Sequence, residues 1–187
     1  MLTSLLRRWR DARARTASAA AFVAAIEQAP PDGDVAWLAE AGTNGDVDHA
    51  RWELRYARRA LGLVSAQRDA LDDRTASEVA RALDEAMAAD AGVAPDKRGI
   101  VVHQLNARLR AYADALSRRE APGSGYHLGA ALLEFAGRIE PGSDEQIARA
   151  GDIASRYLTE ANAALRDCYG AAELPEDIAP SAMIARR

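Results

Sequence analysis

The chain has almost no cysteine and few aromatic residues, and both scarcities narrow what it can be. Cys168 is the only cysteine among 187 residues, which excludes an intramolecular disulfide and a metal site built on several cysteines. Aromatic residues make up 5% of the chain, so Leu, Ala, Ile and Val must form most of the interior. Alanine, roughly a quarter of the residues, buries little area, and stability must therefore come from close helix–helix contact.

Lysine is almost missing as well, because Lys97 is the only one and every other basic residue is arginine. Abundant arginine and alanine are typical of a GC-rich, bacterial genome, so the arginines alone do not indicate phosphate binding. The net charge of −4 argues against a general nucleic-acid binder, because such proteins carry excess positive charge.

Long hydrophobic runs and internal repeats are also lacking. The longest apolar run, residues 17–26 around one serine, is about half as long as a membrane-spanning helix. We therefore expect a cytoplasmic protein. No repeat of fixed period and no long interior linker divides the chain, which predicts a single domain.

What the sequence does have is helical periodicity. Between residues 46 and 116, apolar residues recur every three or four positions, and glycine and proline come together only at 92–95. This predicts an all-α fold, a single compact bundle of about six or seven helices in residues 1–173 with an extended or loose tail at 174–187. The predicted helices span residues 2–28, 34–41, 46–72, 75–89, 96–119, 126–139 and 143–172.

Two local patterns refine this prediction. Capping boxes at residues 75–78 and 143–146 indicate where two of the helices begin. A heptad in the helix at 96–119 predicts which residues point inward. These are Val102, Leu105, Leu109, Tyr112 and Leu116.

A row of arginines on the third predicted helix is the best candidate for binding in the interior of the sequence. This arginine stripe consists of Arg51, Arg55, Arg58 and Arg59, with Trp52 and Tyr56 beside it. Guanidinium groups bind carboxylates and phosphates through paired hydrogen bonds, so an anionic ligand or an acidic partner helix would fit. The alternative is pairing within the chain, for which the sequence offers Asp69, Asp72, Asp73, Asp84 and Glu85.

The first helix has an amphipathic start. Leu2, Leu5, Leu6 and Trp9 share one side, and arginines occupy the other. Such a helix can lie on an anionic membrane or dock on a partner. It can equally pack on its own bundle with the arginines in solvent.

Histidines suggest two further sites. Tyr126 and His127 lie between Gly125 and Gly129 at the start of an apolar helix, where a ligand could approach closely and His127 could act as acid, base or ligand. His49 and Glu53, four residues apart, resemble half of a helical metal site. Helix-packing glycines, a surface histidine and a local His–Glu hydrogen bond explain the same residues.

No specific catalytic or cofactor-binding motif is present. The sequence therefore favours a non-catalytic helical protein that binds a partner protein or a second copy of itself through arginine-rich surfaces, with no metal and no cofactor. One alternative is a ligand-binding protein or enzyme with an apolar pocket between helices. Another is a membrane-surface protein that uses the N-terminal helix.

Overall fold

In the computed structural model, the backbone is described for residues 2–69, 73–118, 120–138 and 142–170. The side chains are described for residues 13–68 and for the last three of these ranges. The tail predicted at 174–187, with its boundary at 173, lies outside them.

The described residues form seven α-helices and one short 3-10 turn, and they contain no strand. The prediction of an all-α bundle is confirmed. The helices are α1 (Leu2–Ile26), α2 (Asp32–Ala41), α3 (Val47–Asp69), α4 (Asp73–Ala89), α5 (Arg98–Ser117), α6 (Ser124–Phe135) and α7 (Asp144–Tyr169), with the 3-10 turn (Pro95–Lys97) directly before α5. None of the described helices is long and apolar enough to cross a membrane.

Helix α3 lies at the centre of the bundle. Every residue from 56 to 66 is buried. Around α3 the helices α4, α1, α7, α6 and α5 follow one another, each in contact with the next. The two ends of this series, α4 and α5, both pack on α3 but make few contacts with each other. A seam therefore separates α4 from α5 on the surface.

Glycines allow the closest helix contacts. A Cβ atom on Gly62 of α3 would lie 2.7 Å from Cδ1 of Ile26 on α1. A Cβ atom on Gly129 of α6 would overlap the carbonyl oxygen of Ile147, and one on Gly151 of α7 would overlap that of Gly125. The small side chains that the composition offers are thus used where backbones meet.

Of the five residues predicted to point inward on α5, four pack in or against the core, and the prediction is wrong for Val102. The residues of α5 that are buried are Val101, Leu105, Arg108, Tyr112 and Ala115. They keep the heptad spacing, but Val102 is 38% exposed, and Leu109 and Leu116 are half-buried at the edge of the core. The spacing of apolar residues alone does not place the charged Arg108 in the buried register.

One predicted capping box is confirmed and the other is wrong. The Ser143 hydroxyl accepts from the backbone N–H of Gln146, and the Gln146 side chain accepts from the N–H of Ser143. Thr75 cannot cap α4, because α4 already begins at Asp73 and Thr75 is buried within it. A cap must precede the first helical residue.

Candidate functional site

The arginine stripe lies on the central helix, so its members are not equally exposed. Arg58 is 8% exposed and Arg59 is 1% exposed. Arg55 is half-buried, and Arg51, near the start of α3, is on the surface. A buried guanidinium requires an anionic partner, because an unpaired charge is costly to remove from water.

Each arginine of the stripe has a carboxylate partner within the chain. Nε of Arg59 lies 2.5 Å from Glu27 at the end of α1. Nη2 of Arg55 lies 2.7 Å from Asp90, which also lies 3.2 Å from Arg59. The remaining pairs are Arg58 with Glu160 of α7 at 2.9 Å and Arg51 with Asp48 at 3.1 Å.

This arrangement matches the alternative of pairing within the chain, but with other acids than the sequence suggested. The partners Glu27, Asp90 and Glu160 come from α1, from the end of α4 and from α7. The side chains of Asp69 and Asp72 lie outside the described residues. Glu85 pairs instead with Arg81 of its own helix at 2.5 Å.

Asp90 joins three elements of the bundle. It accepts from Arg55 and Arg59 of α3 and from the backbone N–H of Gly92 in the α4–α5 connection. Burial favours the neutral acid, but the Gly92 N–H and the two arginines outweigh it and lower the pKa of the Asp90 carboxyl. Asp90 therefore stays ionised and holds the connection against α3.

The aromatic residues beside the stripe stack on guanidinium groups. The guanidinium carbon of Arg55 lies 4.5 Å from the Trp52 ring centroid, and the two rings of Trp52 and Tyr56 are 6.1 Å apart. The Tyr56 ring lies under Arg108 at 4.6 Å. Both aromatic residues thus belong to the packing around paired arginines.

A buried ion pair between α3 and α5 is the main feature that sequence reasoning missed. Arg108 donates to both carboxylate oxygens of Glu53, and Glu53 is 1% exposed. Arg108 also donates to Gln104, and its guanidinium lies 4.4 Å from the Phe135 ring. The available signal was the unbroken heptad through Arg108, which places a charge on the inner side of α5.

Glu53 is thus not available to His49. His49 is exposed, and its backbone N–H is bound by the Asp46 side chain. In the parts of the chain that the structure describes, no group of three or more His, Cys, Asp and Glu residues is placed to hold a metal ion.

Two tyrosines in the interior complete this polar region. Burial raises the pKa of Tyr112 well above its usual range, and the nearby Glu53 adds to the effect. Burial also raises the pKa of Tyr157, whose hydroxyl donates to Asp34 at 3.3 Å. Both therefore stay neutral at physiological pH.

The cavity lined by Arg58 and Tyr157 has a volume of about 20 Å³, enough for about one water molecule.

The structure keeps the other predicted site residues apart from the stripe. Tyr126 and His127 are half-buried at the start of α6, with ring centroids 5.9 Å apart. The glycines around them serve the α6–α7 contact. The backbone of α1 includes Leu2, Leu5, Leu6 and Trp9, but their side chains lie outside the described residues.

The seam between α4 and α5 forms an open groove of about 220 Å³. Its lining is mainly apolar and consists of Met87, Ala88, Val93, Val101 and Val102 between the charged Asp84 and Arg98. Three large apolar side chains are exposed among the described residues, and two of them, Ile100 at 54% and Val102 at 38%, lie on this part of α5. The third, Val47, begins α3.

The charges of the groove differ from those of the interior. Asp84 and Arg98 are exposed, and no described residue forms an ion pair with either of them. Their charged neighbours do have partners, Glu85 with Arg81 and Lys97 with Asp96. The groove therefore combines an apolar lining, of which Val102 is exposed and Met87, Val93 and Val101 are buried, with two opposite charges that have no described ion-pair partner.

Comparison with known proteins finds no matching family model, no matching curated protein and no matching solved structure.

Proposed function

We propose that the protein is a non-catalytic helical assembly protein that associates with a second copy of itself through the α4–α5 groove. The observation that carries this proposal is an open, mainly apolar groove that holds the exposed Val102 between two opposite charges. Single exposed apolar residues are ordinary, whereas an apolar groove rimmed by charged residues is typical of an interaction site.

The choice of surface follows from how the arginines are used. An acidic partner at the arginine stripe would have to displace Glu27, Asp90 and Glu160, and Arg59 is 1% exposed. At the groove no described residue has to be displaced. Covering Val102 there would remove apolar surface from water, which is favourable by about 25 cal/mol for each Å².

A second copy fits the groove better than a partner of one charge. The groove has an acidic residue on its α4 side and a basic residue on its α5 side. A uniformly acidic or basic partner would be repelled at one of the two sides. A surface that presents both charges, as another copy of the same groove does, can match both.

Analytical ultracentrifugation of the native protein and two matched variants tests the proposal. We expect the molar mass of the native protein from sedimentation to exceed the 20.0 kDa of the monomer. Val102→Glu should sediment as the monomer, because the new carboxylate would be buried in the contact. Val47→Glu places the same change on an apolar residue of similar exposure away from the groove, and it should behave like the native protein.

Both variants change exposed positions, so we expect their helical circular dichroism to match that of the native protein. Self-association itself adds a contribution to stability that depends on protein concentration. Apart from that contribution, their free energy of unfolding should differ from the native value by no more than about 0.5 kcal/mol. A native protein that stays monomeric, or equal masses for the two variants, would overturn the proposal.

A further inference from the structure

Building on the proposed self-association, we infer that the two copies meet in a closed two-fold contact in which Asp84 of each copy pairs with Arg98 of the other. This assigns two residues of the groove as the determinants of partner choice. It also identifies the partner surface as the same α4–α5 groove, which carries both charges.

The first argument is that these two charges have no ion-pair partner among the residues that the structure describes. Asp84 and Arg98 both line the groove and are both exposed. The neighbouring charges Arg81, Glu85, Asp96 and Lys97 pair among themselves. The two charges at the groove are thus opposite in sign and available to another molecule.

The second argument is their position along the groove. Arg98 is the first residue of α5 and lies at the end nearest the α4–α5 connection. Asp84 lies five residues before the end of α4, more than one helical turn further from the connection. The acid and the base are therefore diagonal to each other across the apolar floor.

A two-fold contact can pair these two residues. The axis would lie in the plane of the contact, pass midway between Asp84 and Arg98 and run perpendicular to the line that joins them, so that half a turn exchanges their positions. Asp84 of each copy then lies over Arg98 of its partner, and two equivalent pairs form. The interface is self-complementary and closes at two copies.

The exposed apolar residue of the groove fits the same contact. Val102 is part of the groove lining and is 38% exposed. In the two-fold arrangement Val102 of one copy meets the apolar lining of the other, to which Ala88 belongs. The apolar contact supplies affinity, and the charges select the partner and the orientation.

Charge reversal tests the pairing. Asp84→Arg places two bases at each end of the contact, and Arg98→Asp places two acids there. We expect each variant alone to raise the dissociation constant of the dimer about tenfold or more, because like charges would be juxtaposed twice. Arg110→Asp, an exposed reversal on α5 away from the groove lining, should leave it unchanged.

Mixing the two variants gives the decisive result. In a two-fold contact, Asp84→Arg and Arg98→Asp chains restore two opposite-charge pairs when they combine, so native mass spectrometry should show a heterodimer stronger than either homodimer. The double variant Asp84→Arg with Arg98→Asp should also dimerise with itself. A mixture that forms no heterodimer, or that forms species larger than a dimer, overturns the inference.

The outcome also separates this inference from the proposed function. If Val102→Glu abolishes association but the charge variants do not change it, assembly through the groove stands and the Asp84–Arg98 pairing is wrong. If Val102→Glu leaves the mass unchanged, both are wrong.

Discussion

Helix α3 and the α4–α5 groove both carry charged residues beside apolar ones, but only the arginine stripe and Glu53 of α3 have ion-pair partners. Arg55, Arg58 and Arg59 each contact a carboxylate from another part of the bundle. Asp84 and Arg98 of the groove form no ion pair with any described residue. In this protein, pairing within the bundle distinguishes a charge that holds helices together from one that is available to a partner.

The difference has a simple electrostatic origin. The carboxylate of Glu53 and the guanidinium of Arg59 are 1% exposed, so each must be neutralised by a neighbour. The groove is open to water, and water solvates Asp84 and Arg98 at little cost. Interior charges are therefore expected to affect stability, and groove charges are expected to affect association.

The strongest test of the interior is removal of Arg108. Arg108→Ala leaves the Glu53 carboxylate buried without its partner, and we expect the free energy of unfolding to fall by about 3–5 kcal/mol. Chemical denaturation followed by circular dichroism measures this loss. A loss below about 1 kcal/mol would mean that Glu53 is solvated or protonated without Arg108.

An apolar double variant sharpens that result. Replacing both partners, with Glu53→Leu and Arg108→Met, removes the charges without leaving one unpaired. The double variant should recover most of the stability that Arg108→Ala loses, because well-packed apolar pairs often equal buried ion pairs in stability. If it is as unstable as Arg108→Ala, packing rather than charge explains the effect.

The fold could be predicted from the sequence because helices depend on local patterns. Apolar spacing, the Pro30–Pro31 pair and the Ser143 capping box are all visible in the chain, and the helices they predict are present. Some observed helix boundaries differ from the predicted ones by several residues. Helix α6, for example, ends at Phe135, whereas the predicted helix ended at residue 139. The exact end of a helix depends on what packs beside it, which spacing does not show.

The placement of the site could not be predicted in the same way. The arginine stripe has the composition of an exposed surface, and only the packing of six other helices on α3 buries Arg58 and Arg59. Arg108 was not among the residues predicted to point inward on α5. A charge in a heptad position is read as exposed unless its partner, here Glu53 fifty-five residues earlier, is known.

A smaller effect is expected from Asp90, which links α3 to the edge of the groove. Its pKa is lowered in the folded protein, so its contribution to stability is present at neutral pH and is lost as the pH falls below the unfolded value of about 3.9. Asp90→Asn should therefore lose stability at pH 7 and show a weaker fall in stability during acidification than the native protein.

Denaturation at a series of pH values measures this difference. Asp114→Asn, an exposed change in the Asp114–Arg118 pair of α5, is the matched control and should follow the native curve closely. Parallel curves for Asp90→Asn and the native protein would show that Asp90 does not act as a charged link.

Hydrogen–deuterium exchange at low and high protein concentration tests the central claim most directly, because it locates the covered surface without any mutation. We expect slower exchange at high concentration in the α4–α5 connection and the start of α5, residues 90–102, and unchanged exchange around Val47 at the start of α3. Exchange that does not depend on concentration, or protection confined to another surface, would contradict assembly through the groove.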